Sequence, residues 1–212
     1  MKRISVKGLA EFMAANDAKR RTVVRRFKYP REDEAFAMIK YYQEARDAIS
    51  AYHSGKRDST WLHNVANQLE AVARSVTGHS RTRVRHNARA VHAYATNFAG
   101  REFEVLTTPR LRLNYSGVTI SVVPDLRVRE QSQDKIIKLE FGKDAPAERE
   151  IKVMSQILFE AARLGGLQIP ARSVLYLDVA RGAEHRGARL GAQLANDIEA
   201  ACETISDIWD RI

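Results

Sequence analysis

The chain reads as an α/β protein, a mixed central sheet flanked by helices, with a helical N-terminal half. Three observations lead there. Through residues 1–100, apolar side chains recur at helical spacing. Past Gly100 the pattern changes to short alternating or β-branched runs separated by turn residues. Strand candidates then alternate with amphipathic helices to the C-terminus, the order of a layered sheet-and-helix domain. The organisation expected is a helical, basic region over 1–100 packed on an αβ core over 101–212, together one compact unit.

Each element has a local reason. Ser5 suits the N-cap of a helix over residues 6–15. A second helix runs from Asp17 to Lys28 and stops before Pro30, because the residue preceding a proline is steered out of the helical region. Residues 34–53 place Phe36, Ile39, Tyr42, Ala45 and Ile49 on one helical stripe. Ser54-Gly-Lys-Arg-Asp-Ser is a turn, after which Ser59 or Thr60 caps a helix to about Val76. Over residues 80–98, Val84, Ala88, Val91, Ala95 and Phe98 form an apolar stripe, and Arg81, Arg85, Arg89 and His92 form a row one turn apart on another face.

In the second half, Phe103 to Leu106 is a short strand candidate. Arg110 to Tyr115 alternates, Ser116-Gly117 turns, and Val118 to Val123 returns as the hairpin partner. Ile136 to Phe141 follows a Gln131-Ser-Gln-Asp turn. A helix from Pro146 to about Leu164 turns Ile151, Met154, Ile157, Leu158 and Ala161 to a core and ends at Gly165-Gly166. Ser173 to Val179 is a further strand, residues 180–189 are an Arg- and Gly-rich loop, and a last amphipathic helix runs from about Leu190 to Ile212.

Composition narrows the function classes. At 44% hydrophobic and 29% charged, the 212 residues match an ordinary soluble globular chain. No apolar run approaches the length of a bilayer span, and no apolar stretch follows the basic N-terminus, so neither a membrane segment nor a secretory signal is expected. One cysteine, Cys202, excludes an intramolecular disulfide and any four-cysteine zinc or iron–sulfur site built by one chain. A cytoplasmic setting fits. No phosphate-cradling P-loop, GxSxG or HExxH motif is present.

The net charge is +9, and its placement is uneven. Residues 1–100 hold 19 Lys/Arg against 9 Asp/Glu, whereas the remainder holds 16 against 17. All the excess lies in the first half, which points to an anionic partner, nucleic acid above all and DNA first. Candidate phosphate contacts are Lys19, Arg20, Arg21, Arg25 and Arg26 on the second helix, Arg81, Arg85 and Arg89 on the long one, and Arg181, Arg186 and Arg189 in the glycine-containing loop. The alternative for each is a solvated basic face or an unstructured loop.

The most informative stretch is Val118-Thr-Ile-Ser-Val-Val-Pro124-Asp125, followed after the turn by Lys135-Ile-Ile-Lys138-Leu-Glu140-Phe-Gly-Lys143. It places two carboxylates, Asp125 and Glu140, on neighbouring strands with lysines close by. Such a pair offers hard oxygen ligands to Mg²⁺ or Mn²⁺. Together with the strand–helix order, Gln156 on the following helix and the next strand ending near Arg181-Gly182, residues 101–182 resemble the PD-(D/E)XK nuclease superfamily, in its RecB-like branch. A weaker likeness lies in Ile4-Ser-Val-Lys-Gly-Leu-Ala-Glu-Phe. The resemblance implies a restriction-endonuclease-like core, with Asp125 and Glu140 as metal ligands, Gln156 in support, and His92 as a further ligand upstream. It implies Mg²⁺ or Mn²⁺ as cofactor; the variant with an iron–sulfur cluster is excluded by cysteine count.

The chain departs from (D/E)-x-K at the lysine. Two residues past Glu140 stands Gly142. Lys138 lies two residues before Glu140 on the same strand face, Lys143 lies three after it, and Lys152 lies one turn before Gln156; each is a candidate for the missing amine. The leading expectation is therefore a metal-dependent nuclease acting on nucleic acid. A second keeps the fold without catalysis, as a nucleic-acid-binding or scaffolding subunit of a defence, repair or mobile-element complex. A third is a helical interaction protein whose basic face meets an acidic protein.

Overall fold

The computed structural model describes residues 1–30, 41–188 and 192–212. Strand β1 (Lys2–Ser5) runs straight into helix α1 (Val6–Ala14), where Ser5 accepts from the Gly8 amide at 3.1 Å and caps the helix. Helix α2 (Asp17–Lys28) is capped by Asn16. After α3 (Gln43–Ser54), helix α4 (Ser59–Ser75) is capped by Asp58, one residue ahead of the Ser59 or Thr60 expected, because the aspartate carboxylate reaches the Trp61 amide at 3.0 Å. Helix α5 (Gly78–Asn97) returns along α4. Of the amphipathic stretch 34–53, residues 34–40, with Phe36 and Ile39, lie outside the described residues, as do 189–191 with Arg189, and Tyr41 and Tyr42 form a turn ahead of α3 instead of belonging to it.

The second half builds β2 (Glu104–Leu106), β3 (Leu111–Tyr115), β4 (Val118–Val122), β5 (Leu126–Glu130) and β6 (Gln133–Glu140). It continues with α6 (Glu148–Leu164), β7 (Val174–Asp178), β8 (Ala183–Arg186) and α7 (Ala192–Arg211). The protein is α/β, with mixed sheets flanked by helices. Among the described residues there are two sheets instead of one central sheet: a three-stranded one in the order β1-β4-β3 and a five-stranded one in the order β2-β5-β6-β7-β8. In the first, β1 is parallel to β4 and β3 antiparallel to it. In the second, only β6 and β7 are parallel, joined through α6.

Pro124 explains the division. It has no amide to continue the β4 ladder, so that strand stops at Val122, and the chain enters the larger sheet when the Asp125 amide donates to the Ile137 carbonyl at 3.0 Å. Residues 126–130, continuous in sequence with the preceding strand, thus pair elsewhere. Strand β8 emerges from the Arg- and Gly-rich stretch expected to be a loop, and β1 from residues read only as a lead-in to a helix.

Two apolar layers hold the fold. One gathers β1, β3 and β4 with α1, α2, α6 and α7, around Ile4, Leu9, Phe12, Ile120 and Met154. The other gathers α3, α4 and α5 against the larger sheet, around Ile49, Leu62, Tyr94, Ile137 and Leu177. Strands β6 and β7 lie between the layers. Ile136 and Tyr176 face the first, and Ile137, Leu139, Leu175 and Leu177 the second. Each fully buried large side chain contributes about 1.5–3 kcal/mol, so this two-sided burial sets the strand register firmly. Among the described residues, no helix is long and apolar enough to cross a membrane.

Candidate carboxylate site on the five-stranded sheet

Strand pairing decides which side chains meet. Leu126 stands opposite Ile137 in the antiparallel β5–β6 pair, so Asp125, one step earlier, falls opposite Lys138. Lys138 is in register with Tyr176 on parallel β7, and Glu140 with Asp178. Side chains alternate along a strand, and Ile137 and Leu139 belong to the other layer. Asp125, Lys138, Glu140, Tyr176 and Asp178 therefore share one face, toward the C-terminal ends of β6 and β7.

Asp125 is held by three donors. Its Oδ2 lies 2.8 Å from Lys138 Nζ and accepts from the Leu139 amide at 2.8 Å, while Oδ1 accepts from Arg46 Nε at 2.6 Å. The side chain is 6% exposed. Burial alone would raise its pKa, but Lys138, Arg46 and the amide together hold the carboxyl below the ordinary value. Arg46 comes from α3 and lies over the Phe141 ring.

Glu140 has its own set. Lys7 Nζ from α1 lies 3.1 Å from Oε2, the Tyr176 hydroxyl donates to Oε2 at 3.1 Å, and the Gly142 amide donates to Oε1 at 2.8 Å. Burial opposes ionisation, yet Lys7 and these hydrogen bonds bring its pKa below the ordinary value. Tyr176 is shifted upward, first by burial and then by the Glu140 charge, so it stays a donor. Glu150, in the first turn of α6, is shifted upward by burial against the attraction of Lys7.

Gly142 now has a physical explanation. A Cβ built there would lie 2.8 Å from Glu140 Oε1. The glutamate folds back onto its own chain at the position where the (D/E)-x-K pattern carries lysine, so a side chain there has to push the free end of Glu140 aside. Of the three candidate amines, Lys138 is in the site. Lys143 is exposed, its carbonyl taken by the Arg181 guanidinium. Lys152 pairs with Glu148 at 2.6 Å and is 54% exposed, so it points along its own helix instead of into the carboxylates. Gln156 is buried and donates to Glu160 at 3.0 Å.

His92 is not gathered with the carboxylates. It stands on the helical hairpin, its Nδ1 3.3 Å from His63 Nδ1. Among the described residues, no three His, Cys, Asp or Glu side chains form one metal-holding group. The basic candidates divide. Lys19, Arg21, Arg25, Arg81 and Arg89 are exposed. Arg20 pairs with Asp17, Arg26 with Glu11, Arg85 with Glu70, Arg181 with Asp178 and Arg186 with Glu184.

Four residues of the cluster escape sequence reasoning: Lys7, Arg46, Tyr176 and Asp178. Lys7 does leave a trace. It is a cation in the first turn of α1, where no acidic residue stands and the helix dipole disfavours positive charge; a lysine so placed signals a counter-charge supplied by the fold. Tyr176, in the middle of an apolar strand, needs a partner for its hydroxyl. No protein-family model, curated protein or solved structure matches this chain.

Proposed function

We propose that this chain binds nucleic acid and hydrolyses phosphodiesters with Mg²⁺ or Mn²⁺, on a restriction-endonuclease-like core resembling the RecB-like branch of the PD-(D/E)XK superfamily. The observation that carries the reading is the gathering of Asp125, Lys138 and Glu140 on one face of β5 and β6, with α6 and β7 following. The strand order of acid and lysine is reversed: the amine comes two residues before Glu140, and Gly142 occupies the usual place.

The donor set suits the cation. Mg²⁺ keeps several waters and needs one or two carboxylates, which Asp125 and Glu140 would provide. Once bound it would supply positive charge to a phosphate and lower the pKa of an attacking water. The chain's own residues have separate tasks. Lys138 releases Asp125 and turns its amine to the water or a phosphate oxygen. Lys7 offsets charge beside Glu140, and Tyr176 fixes the Glu140 carboxylate.

A second reading, binding without cleavage, is favoured by one observation: three cations, Lys138, Arg46 and Lys7, already neutralise two carboxylates. A divalent ion has to displace them. The Lys138 and Arg46 pairs on buried Asp125 resist that displacement most, and the Lys7 pair, open to solvent on the lysine side, least. Cleavage assays on single- and double-stranded DNA and on RNA, with each metal, separate the two. Weak activity, greater with Mn²⁺ and abolished by Asp125→Ala or Glu140→Ala, is the expected result. Intact binding with no cleavage, indifferent to both substitutions, gives the case to the second reading.

A further inference from the structure

Helices α4 and α5 lie side by side as an antiparallel hairpin, and their outer seam carries facing pairs. Arg85 faces Glu70, the complementary match expected where two helices present charge to each other. Two turns farther along both helices, the seam brings together two like residues. His63 from α4 and His92 from α5 meet Nδ1 to Nδ1 at 3.3 Å, with ring centroids 5.1 Å apart and ring planes at 63°. His63 is half-buried and His92 exposed, so the pair opens to solvent.

The spacing has a chemical meaning. Two imidazole nitrogens bound to one tetrahedral ion at about 2.0–2.1 Å are separated by about 3.3–3.4 Å. The observed 3.3 Å, at which the two neutral rings share a hydrogen bond, matches that distance. Imidazole nitrogens choose borderline cations such as Zn²⁺ over Mg²⁺, which takes oxygen. We infer that His63 and His92 form a two-nitrogen site for a Zn²⁺-class cation, bridging α4 and α5, with water in the remaining positions. This site is independent of the carboxylates and of the proposed nuclease reading. It fastens the hairpin, because an ion that binds only the folded form stabilises that form by mass action.

Calorimetric titration of the full chain with zinc chloride tests it, alongside His63→Ala, His92→Ala and His79→Ala, each checked for fold by circular dichroism. All are made in a chain carrying Asp125→Asn and Glu140→Gln, which removes zinc taken by those oxygen ligands. In that background one Zn²⁺ per chain is expected, weakened more than about tenfold by either seam substitution and unchanged by His79→Ala. If His63→Ala does not fold, His63→Gln, which has no imidazole, replaces it with the same expected loss. Absence of saturable binding, or binding that survives both seam substitutions, overturns the proposal.

Discussion

At the scale of single residues, Gly142 and the two carboxylates define what the site can tolerate. Because a Cβ at Gly142 meets Glu140 Oε1 at 2.8 Å, Gly142→Lys is expected to displace that carboxylate and lower the proposed cleavage instead of restoring a standard motif. Gly142→Ala should cost little stability, about 1 kcal/mol or less, because the group it meets is the movable end of a side chain, measured by urea denaturation. Titration has a definite sign. Asp125 and Glu140 have folded pKa values below their unfolded ones, so their stabilisation is present above the unfolded carboxylate range and is lost as pH falls through the folded values. His53, buried behind Tyr94, is lowered to about 4 by burial and then by Arg101. Between its unfolded value near 6.5 and about 4, the unfolded chain binds more protons, so stability also falls with acidification there. Replacing His53 by Gln should flatten that slope by up to about 1.4 kcal/mol per pH unit, read from denaturation midpoints across the window.

At the scale of elements, α1 and the β5–β6 pair converge on Glu140 from different parts of the chain. The Lys7–Glu140 pair is exposed on the lysine side, 59% against 13%, so its contribution to stability is small, about 1 kcal/mol or less. Lys7→Ala is therefore expected to leave the melting temperature nearly unchanged while lowering cleavage about 100-fold. Lys138→Ala should be more damaging, and Lys152→Ala without effect, since Lys152 is paired along α6 with Glu148. Much of this was legible beforehand. Alternation along 136–141 already put Lys138 and Glu140 on one face, and Ser5 announced the cap of α1. The split of the strand at Pro124, the short strands β1 and β8, and the approach of Arg46 were not legible. Four- and five-residue strands hold too little pattern to declare themselves, and Arg46 reaches Asp125 across 79 positions of sequence, a contact no local signal encodes.

For the whole molecule, charge placement is the guide to partners. The basic excess of the first half divides over two layers: α2, with Lys19, Arg21 and Arg25 exposed, belongs to the layer of α1 and α6, and α5, with Arg81 and Arg89 exposed, to the other. Binding that rests on phosphate contacts weakens linearly in log–log plots against salt, by about 0.9 per contact on duplex DNA. Replacing Arg81, Arg85 and Arg89 by Ala should reduce that slope, with Arg85 giving the least because Glu70 already holds it at 3.9 Å. An affinity indifferent to salt would remove the electrostatic basis for a nucleic-acid partner. The most direct test of the central claim, that Asp125 and Glu140 share a catalytic cation, is equilibrium Mn²⁺ binding followed by electron paramagnetic resonance, comparing the native chain with Asp125→Asn and Glu140→Gln. Saturable Mn²⁺ binding that either substitution abolishes, and that Arg46→Ala tightens by removing a competing charge, is the result expected; Mn²⁺ binding equal in all four proteins, or absent from the native chain, would contradict it.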